Sequence, residues 1–360
     1  MVISCKKETY QSSTDWIVIS KNIQFKENGD FLLLKSGKHQ YKIPHSKLPY
    51  QKIMLLNASL VGYFTELGAE EKIIGVSSPE YIFSEKIQKR IQENKIQNIG
   101  NEQKYNVEKI IAYQPDVIFT NYVASFENTY EVLKKNGIEI IFIDEYLEEK
   151  PLEKAKIIEV FGKLLGKEKE ALEKYSEIEK NYNSYKNLAA KSTNKPQVLT
   201  NEIYGNQWFV AGGNSQIAHF IKDANAQYIF GDNSESKSTP KSFEEVFSRA
   251  ENAEFWVNVG NHKNKKDLLQ INPNYAKMKV YQKGDIYTIS GREKGSANDY
   301  FESGVVRADL VLKDYIKIFH PEIFPKDSLL YMKKLNSSLF LQLKSTIIDY
   351  IFMWKFIKKL

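Results

Sequence analysis

A chain of 360 residues with 42% hydrophobic and 27% charged side chains has enough apolar material for two folded domains and is not a disordered polymer. Its formal net charge is +6, from 51 basic and 45 acidic side chains, and no dense basic run occurs, so a phosphate-tracking nucleic-acid surface has no compositional support. Its single cysteine, Cys5, excludes intrachain disulfides and a cysteine-held metal cluster.

Val2-Ile3-Ser4-Cys5 has the form of the last residues of a bacterial lipoprotein signal, whose cysteine becomes lipidated. The expectation is that the chain starts within such a signal, or carries an added Met, and that residues 1–14 tether an envelope protein to a membrane. Asp15–Ser20, Phe31–Ser36 and His39–Ile43 read as short strands, with turns at Glu27–Asp30 and Ser36–Lys38, making a small β element over 15–50. From Lys52 the pattern changes. Strands at Ile53–Leu56, Lys72–Val76, Val117–Thr120 and Ile138–Ile143 alternate with helices at Leu60–Leu67, Ser84–Glu93, Val107–Tyr113 and Phe126–Lys135. Such βα alternation over 51–150 implies a parallel sheet with helices on both faces.

Pro151–Leu165 reads as one helix and Lys167–Ala190 as a second, in a connector over 151–192. Apolar residues from Leu172 to Leu188 recur every three or four positions, and 24 helical residues would reach about 36 Å, enough to cross between lobes. The alternation restarts over 193–335: strand Gln197–Ile203, loop Asn206–Asn214, helix Ser215–Asp223, helix Lys266–Leu269, strands Lys279–Tyr281 and Ile286–Ile289, a loop through Ser296, and a final helix from about Tyr300 to Phe319. The remaining 336–360 is apolar but interrupted by Lys344, Asp349 and Lys355, short of the ~20 residues needed to span a bilayer. It reads as an amphipathic helix or a non-native extension.

Two stretches repeat one design. Asn106-Val-Glu108 and Ser242-Phe-Glu244 each pair an N-capping residue with a glutamate in the first helical turn, where the helix dipole favours negative charge. A short helix, a turn and an apolar strand follow in both copies, 136 residues apart. Two like-built lobes, each presenting one acid, suggest a bilobed protein that docks on a basic partner.

No P-loop, nucleophile elbow or HExxH occurs, and the five histidines stand far apart, so neither an enzyme nor a histidine-held metal is expected, nor any cofactor. The loops at the C-terminal ends of the strands are where open α/β sheets bind ligands. They bring Tyr81, Tyr105 and Tyr122 from the first half and Tyr204, Trp208, Phe209, Arg292 and Tyr300 from the second, a set suited to a bulky ligand with some negative charge.

Leu67-Gly-Ala…Ile74-Gly-Val-Ser77, Asn106-Val-Glu108…Gln114-Pro-Asp-Val-Ile118, Trp208-Phe-Val-Ala-Gly-Gly213 and Ser242-Phe-Glu-Glu-Val246 stand in an order that resembles the class III periplasmic substrate-binding proteins of ABC importers, over residues 52–330. That group takes up ferric siderophores, haem and cobalamin. The resemblance implies two doubly wound α/β lobes joined by one long interdomain helix, a ligand cleft between them, and a monomer that hands a small-molecule metal chelate to an ABC permease and its ATPase. It assigns permease docking to Glu108 and Glu244. Cobalamin-binding relatives carry a tryptophan six residues before each of these acids, where this chain has Glu102 and Ser238, so an iron chelate is the expected cargo and cobalamin the alternative. A surface sensor that binds without transport is the other class considered.

Overall fold

The structure, a computed structural model, describes residues 15–336. Cys5 and the apolar tail beyond Asn336 lie outside the described residues. Among the described residues, no helix is long and apolar enough to cross a membrane.

The chain begins with a four-stranded antiparallel sheet, Ile17–Val18, Ile23–Asn28, Phe31–Ser36 and His39–Pro44, each strand paired with its sequence neighbour. The strand Ile23–Asn28 is a correction to the sequence reading, which placed a turn from Glu27. The turn is tighter, because Asn28 pairs with Phe31 and leaves only Gly29 and Asp30 to reverse the chain. Ile23, Phe25, Leu32, Leu34 and Ile43 form its buried face. That face lies on the edge of the first lobe, where the Tyr41 hydroxyl accepts the Phe142 N–H at 2.8 Å and so covers a free strand edge.

The first lobe is a five-stranded parallel sheet in the spatial order Gln97–Asn98, Ile73–Val76, Ile53–Leu55, Val117–Thr120, Glu139–Phe142. Its strands are buried on both sides. Ile53, Leu55, Val117 and Phe119 face one layer, while Met54, Ile118, Ile140 and Phe142 face the Val107–Tyr113 and Glu127–Lys135 helices. The second lobe repeats the plan with Gln227–Tyr228, Gln197–Thr200, Phe255–Val259 and Asp285–Thr288 parallel, closed by antiparallel Lys333–Lys334.

The helix Glu168–Ala189 links the lobes. It packs on Ile158–Leu165 of the first lobe, where Gly162 lets Ala171 approach closely, and on Ala308–Phe319 of the second. Four expected elements differ. Pro151–Leu165 is two helices that break at Ile157. Residues 206–214 are not all loop, since Gln207–Val210 is a strand between Ile203–Tyr204 and Thr239–Lys241. Lys279–Lys283 is a helix rather than a strand, turned so that Val280 enters the core. Two short turns precede the last helix, and its regular part runs from Ala308 to Phe319.

Candidate functional site

The strand ends of the two lobes frame a cleft whose flanks are fastened by contacts between the lobes. On one flank, Asn214 Nδ2 donates to Glu149 at 2.8 Å and Gln216 Nε2 to the Glu148 carbonyl at 2.8 Å. On the other, the hairpin Glu293–Lys294 with Ala297–Asn298 reaches the first lobe at Pro79–Tyr81. There Glu302 accepts the Phe83 N–H at 2.6 Å and the Ser84 N–H at 3.1 Å, Lys294 pairs with Glu85, and the Arg292 guanidinium lies 5.0 Å from the Phe83 ring centroid. Ser84 caps the helix Glu85–Gln92, so the Glu302 carboxylate also meets a helix N-terminus. Burial pushes the Glu302 carboxyl up to about 7, with Asp299 beside it adding to the shift and the Phe83 N–H opposing it. A recess of about 680 Å³, walled in part by Thr65, Glu66, Phe83, Lys294, Glu302 and Arg307, opens at this junction.

The first-lobe loops are held by a polar network. Buried Glu145 accepts Ser59 Oγ and Asn121 Nδ2, both at 2.6 Å, and Asn57 donates to Asn121. In the second lobe, Glu202 and His262 meet at 2.7 Å across the ends of two adjacent parallel strands. Glu202 holds Nε2 and leaves Nδ1 as the other ring atom, the arrangement by which a carboxylate orients an imidazole. Sequence reading set His262 aside with the other histidines. Its signal was its place just after an apolar strand, at Gly260-Asn-His262.

The eight aromatic and cationic residues expected to line the cleft do not act alike. Tyr81, Tyr204 and Phe209 are exposed, Tyr204 at 82%. Trp208 is a correction. It has no exposed surface, its indole N–H donates to the Thr200 carbonyl at 3.0 Å, and its ring packs with Trp256 and Tyr275. The physical reason is the strand register, in which Gln207 and Phe209 point out while Trp208 and Val210 point in. Tyr105 is likewise buried, against Phe126. Tyr122 turns toward the outer helix layer, beside Phe142 and Tyr130, with its hydroxyl on Glu127. Arg292 is held by Asp299 at 2.8 Å and by Phe83, and Tyr300 packs between Phe301 and Tyr331. Glu108 and Glu244 are both exposed in the first turns of their helices, and neither forms an ion pair among the described residues. Among the described residues, no cluster of three or more histidine, cysteine or acidic side chains is placed to hold a metal ion.

Residues 53–293 match the model of the periplasmic binding protein family. The chain belongs to that family. Among curated proteins, this binding protein is similar to an uncharacterized lipoprotein of Methanocaldococcus jannaschii, 27% identical over 77% of this chain and 67% of that one. A second protein of the same organism is 28% identical over 64% and 68%. Solved structures share the fold. A possible iron-binding periplasmic protein of Staphylococcus epidermidis has a TM-score of 0.58 at 20% identity, covering 76% of this chain and 99% of that one. The CeuE protein of Helicobacter pylori, with Ni(II) bound, has a TM-score of 0.61 at 18% identity over 82% and 91%. A periplasmic haem-binding protein of Pseudomonas aeruginosa has 0.60 at 17% over 80% and 99%. The antiparallel sheet before residue 45 lies outside the span of the family match.

Proposed function

We propose that this binding protein is lipid-anchored at Cys5 in the cell envelope, captures an iron chelate, a siderophore complex or haem, and delivers it to an ABC permease. The observation that carries the reading is the matched pair of exposed acids, Glu108 and Glu244, one on each lobe in the first turn of a capped helix and without an ion pair among the described residues. Supporting it are solved relatives described as iron-, Ni(II)- or haem-binding and a curated relative described as a lipoprotein. Tyr204, Phe209 and Tyr81 offer apolar faces to a flat or bulky ligand, and His262, oriented by Glu202, offers a ring nitrogen. The decisive measurement is a fluorescence titration with haem, ferric catecholate, ferric hydroxamate and cobalamin. Tight binding of one of the iron chelates is expected. Tight binding of cobalamin alone would replace the cargo, and binding of none of the four would remove the chelate reading.

A further inference from the structure

The N-terminal sheet buries one face against the first lobe, and among the described residues nothing packs over the other. Strand register fixes what the open face carries. Lys26 pairs with Leu33 and Leu33 with Lys42, while Lys35 sits between Gln24 and Gln40, all pointing away from the buried row Ile23, Phe25, Leu32, Leu34, Ile43. Phe31 lies at one end of this face. Trp16 lies at the other, with Lys35 Nζ 4.3 Å and Lys26 Nζ 5.2 Å from its ring, and Lys42 Nζ is 3.9 Å from the Phe31 ring. Val18 beside them is 56% exposed. None of the paired positions on this face is acidic, and Glu27, on the opposite side, is engaged by Lys163 and His45. Among the described residues, Lys26, Lys35 and Lys42 form no ion pair.

A three-lysine face interleaved with Trp, Phe and Leu has the chemistry of a surface that meets anionic headgroups, the ammonium groups on phosphates and the rings at the apolar boundary. We propose that this face lies on an anionic lipid bilayer and sets how the two lobes stand on the membrane. The inference rests on the lipid-anchor reading for its setting. Asp15 follows Cys5 by ten residue steps, so a lipid on Cys5 holds the sheet within about 36 Å of the bilayer even at full extension. An acyl anchor alone leaves orientation free, and a charged face adjoining it supplies a second, salt-sensitive contact.

The test uses the full chain with Cys5→Ser, so that no acyl group contributes, and vesicles of phosphatidylcholine with or without phosphatidylglycerol. The protein is expected to sediment with the mixed vesicles at low salt, to leave them as salt rises, and to ignore pure phosphatidylcholine. The triple variant K26E/K35E/K42E should bind at least about a hundredfold more weakly, since each lysine near an anionic surface contributes about fivefold. A charge-matched triple elsewhere, K89E/K266E/K277E, should bind within about twofold of the parent, since each of those lysines is exposed and lies outside the sheet and its contacts. Trp16 emission should shift blue on mixed vesicles, a change absent in Trp16→Phe. Equal loss in both triple variants, or none in either, overturns the proposal. So does retention on heparin with the same lysine dependence but no vesicle binding, which would assign the face to a soluble polyanion. Acylation is read separately from the mass of the native chain; an unmodified Cys5 would remove the anchor and leave the vesicle result to stand or fall alone.

Discussion

Single side chains divide into those that hold the frame and those free to touch a ligand. Trp208 belongs to the frame. Trp208→Ala is expected to cost about 3–5 kcal/mol of stability, the usual range for emptying a large aromatic site, as measured by chemical denaturation. Tyr204→Ala should leave stability nearly unchanged and weaken ligand binding by up to about tenfold, matching the 0.5–1.5 kcal/mol of an aromatic contact beyond simple burial. If the two variants exchange these effects, the inside and outside of the Gln207–Val210 strand have been misjudged. Glu302 makes a pH prediction. Its folded value, about 7, lies above its ordinary one, so the folded state holds the proton more tightly than the unfolded chain. The stability this contributes is complete below the ordinary carboxyl range and is lost as pH rises through about 7, a difference of roughly 3 kcal/mol. The melting temperature of the wild-type protein should therefore fall between about pH 5 and 8, and E302Q should flatten that slope, leaving the part due to Asp314, pushed to about 6 by burial. An identical slope in E302Q would show that the carboxyl ionises freely at the lobe junction.

At the scale of elements, strand-and-helix grammar was readable wherever burial and local preference agree. The helix Val107–Tyr113 and the strand Val117–Thr120 stand where their cap, their apolar period and Pro115 place them. Where the two disagree, reading failed. Lys279-Val-Tyr-Gln-Lys283 has β-favouring residues at its centre, but the segment's neighbours ask for one buried side chain, Val280, and a single helical turn supplies it. Ile23–Asn28 was masked by Asn-Gly-Asp, a turn signal that extends less far than its polar residues suggest. The candidate site was less legible than the fold. Loop position identified the exposed aromatics, yet Arg292 is claimed by Asp299 seven residues on and by Phe83 of the other lobe, and Tyr122 by the packing of Phe142 and Tyr130, contacts that loop position alone does not reveal. The connecting helix supports an element-level prediction. Gly162→Val should destabilise the protein by about 1–3 kcal/mol, because the added side chain meets Ala171 of that helix. Denaturation midpoints check this, and an unchanged midpoint would show that the helix pair has slack.

For the whole molecule, fastening on both flanks and a rigid helical link predict little closure on binding. Small-angle scattering with and without ligand should give the same radius of gyration; a fall of several ångströms would show that the flank contacts part. Docking is tested at the same scale. Glu108→Ala with Glu244→Ala should abolish or greatly reduce uptake while leaving ligand affinity intact, because both acids are exposed and unpaired and neither touches the cleft network. Unchanged uptake in that double variant would remove the matched acids from the transport reading.

The lobes also meet where Gly62, in the helix Val61–Glu66, lies against the backbone of Glu302 with no room for even a methyl group. A seam of main chain on main chain cannot be retuned one side chain at a time, whereas Tyr81, Tyr204 and Phe209 at the rim carry no such burden. Over evolutionary time the two should drift at different speeds. Among relatives that keep this lobe contact, position 62 should stay glycine while the rim aromatics change freely with cargo, so that one rigid chassis can be handed from ligand to ligand by altering only its lip.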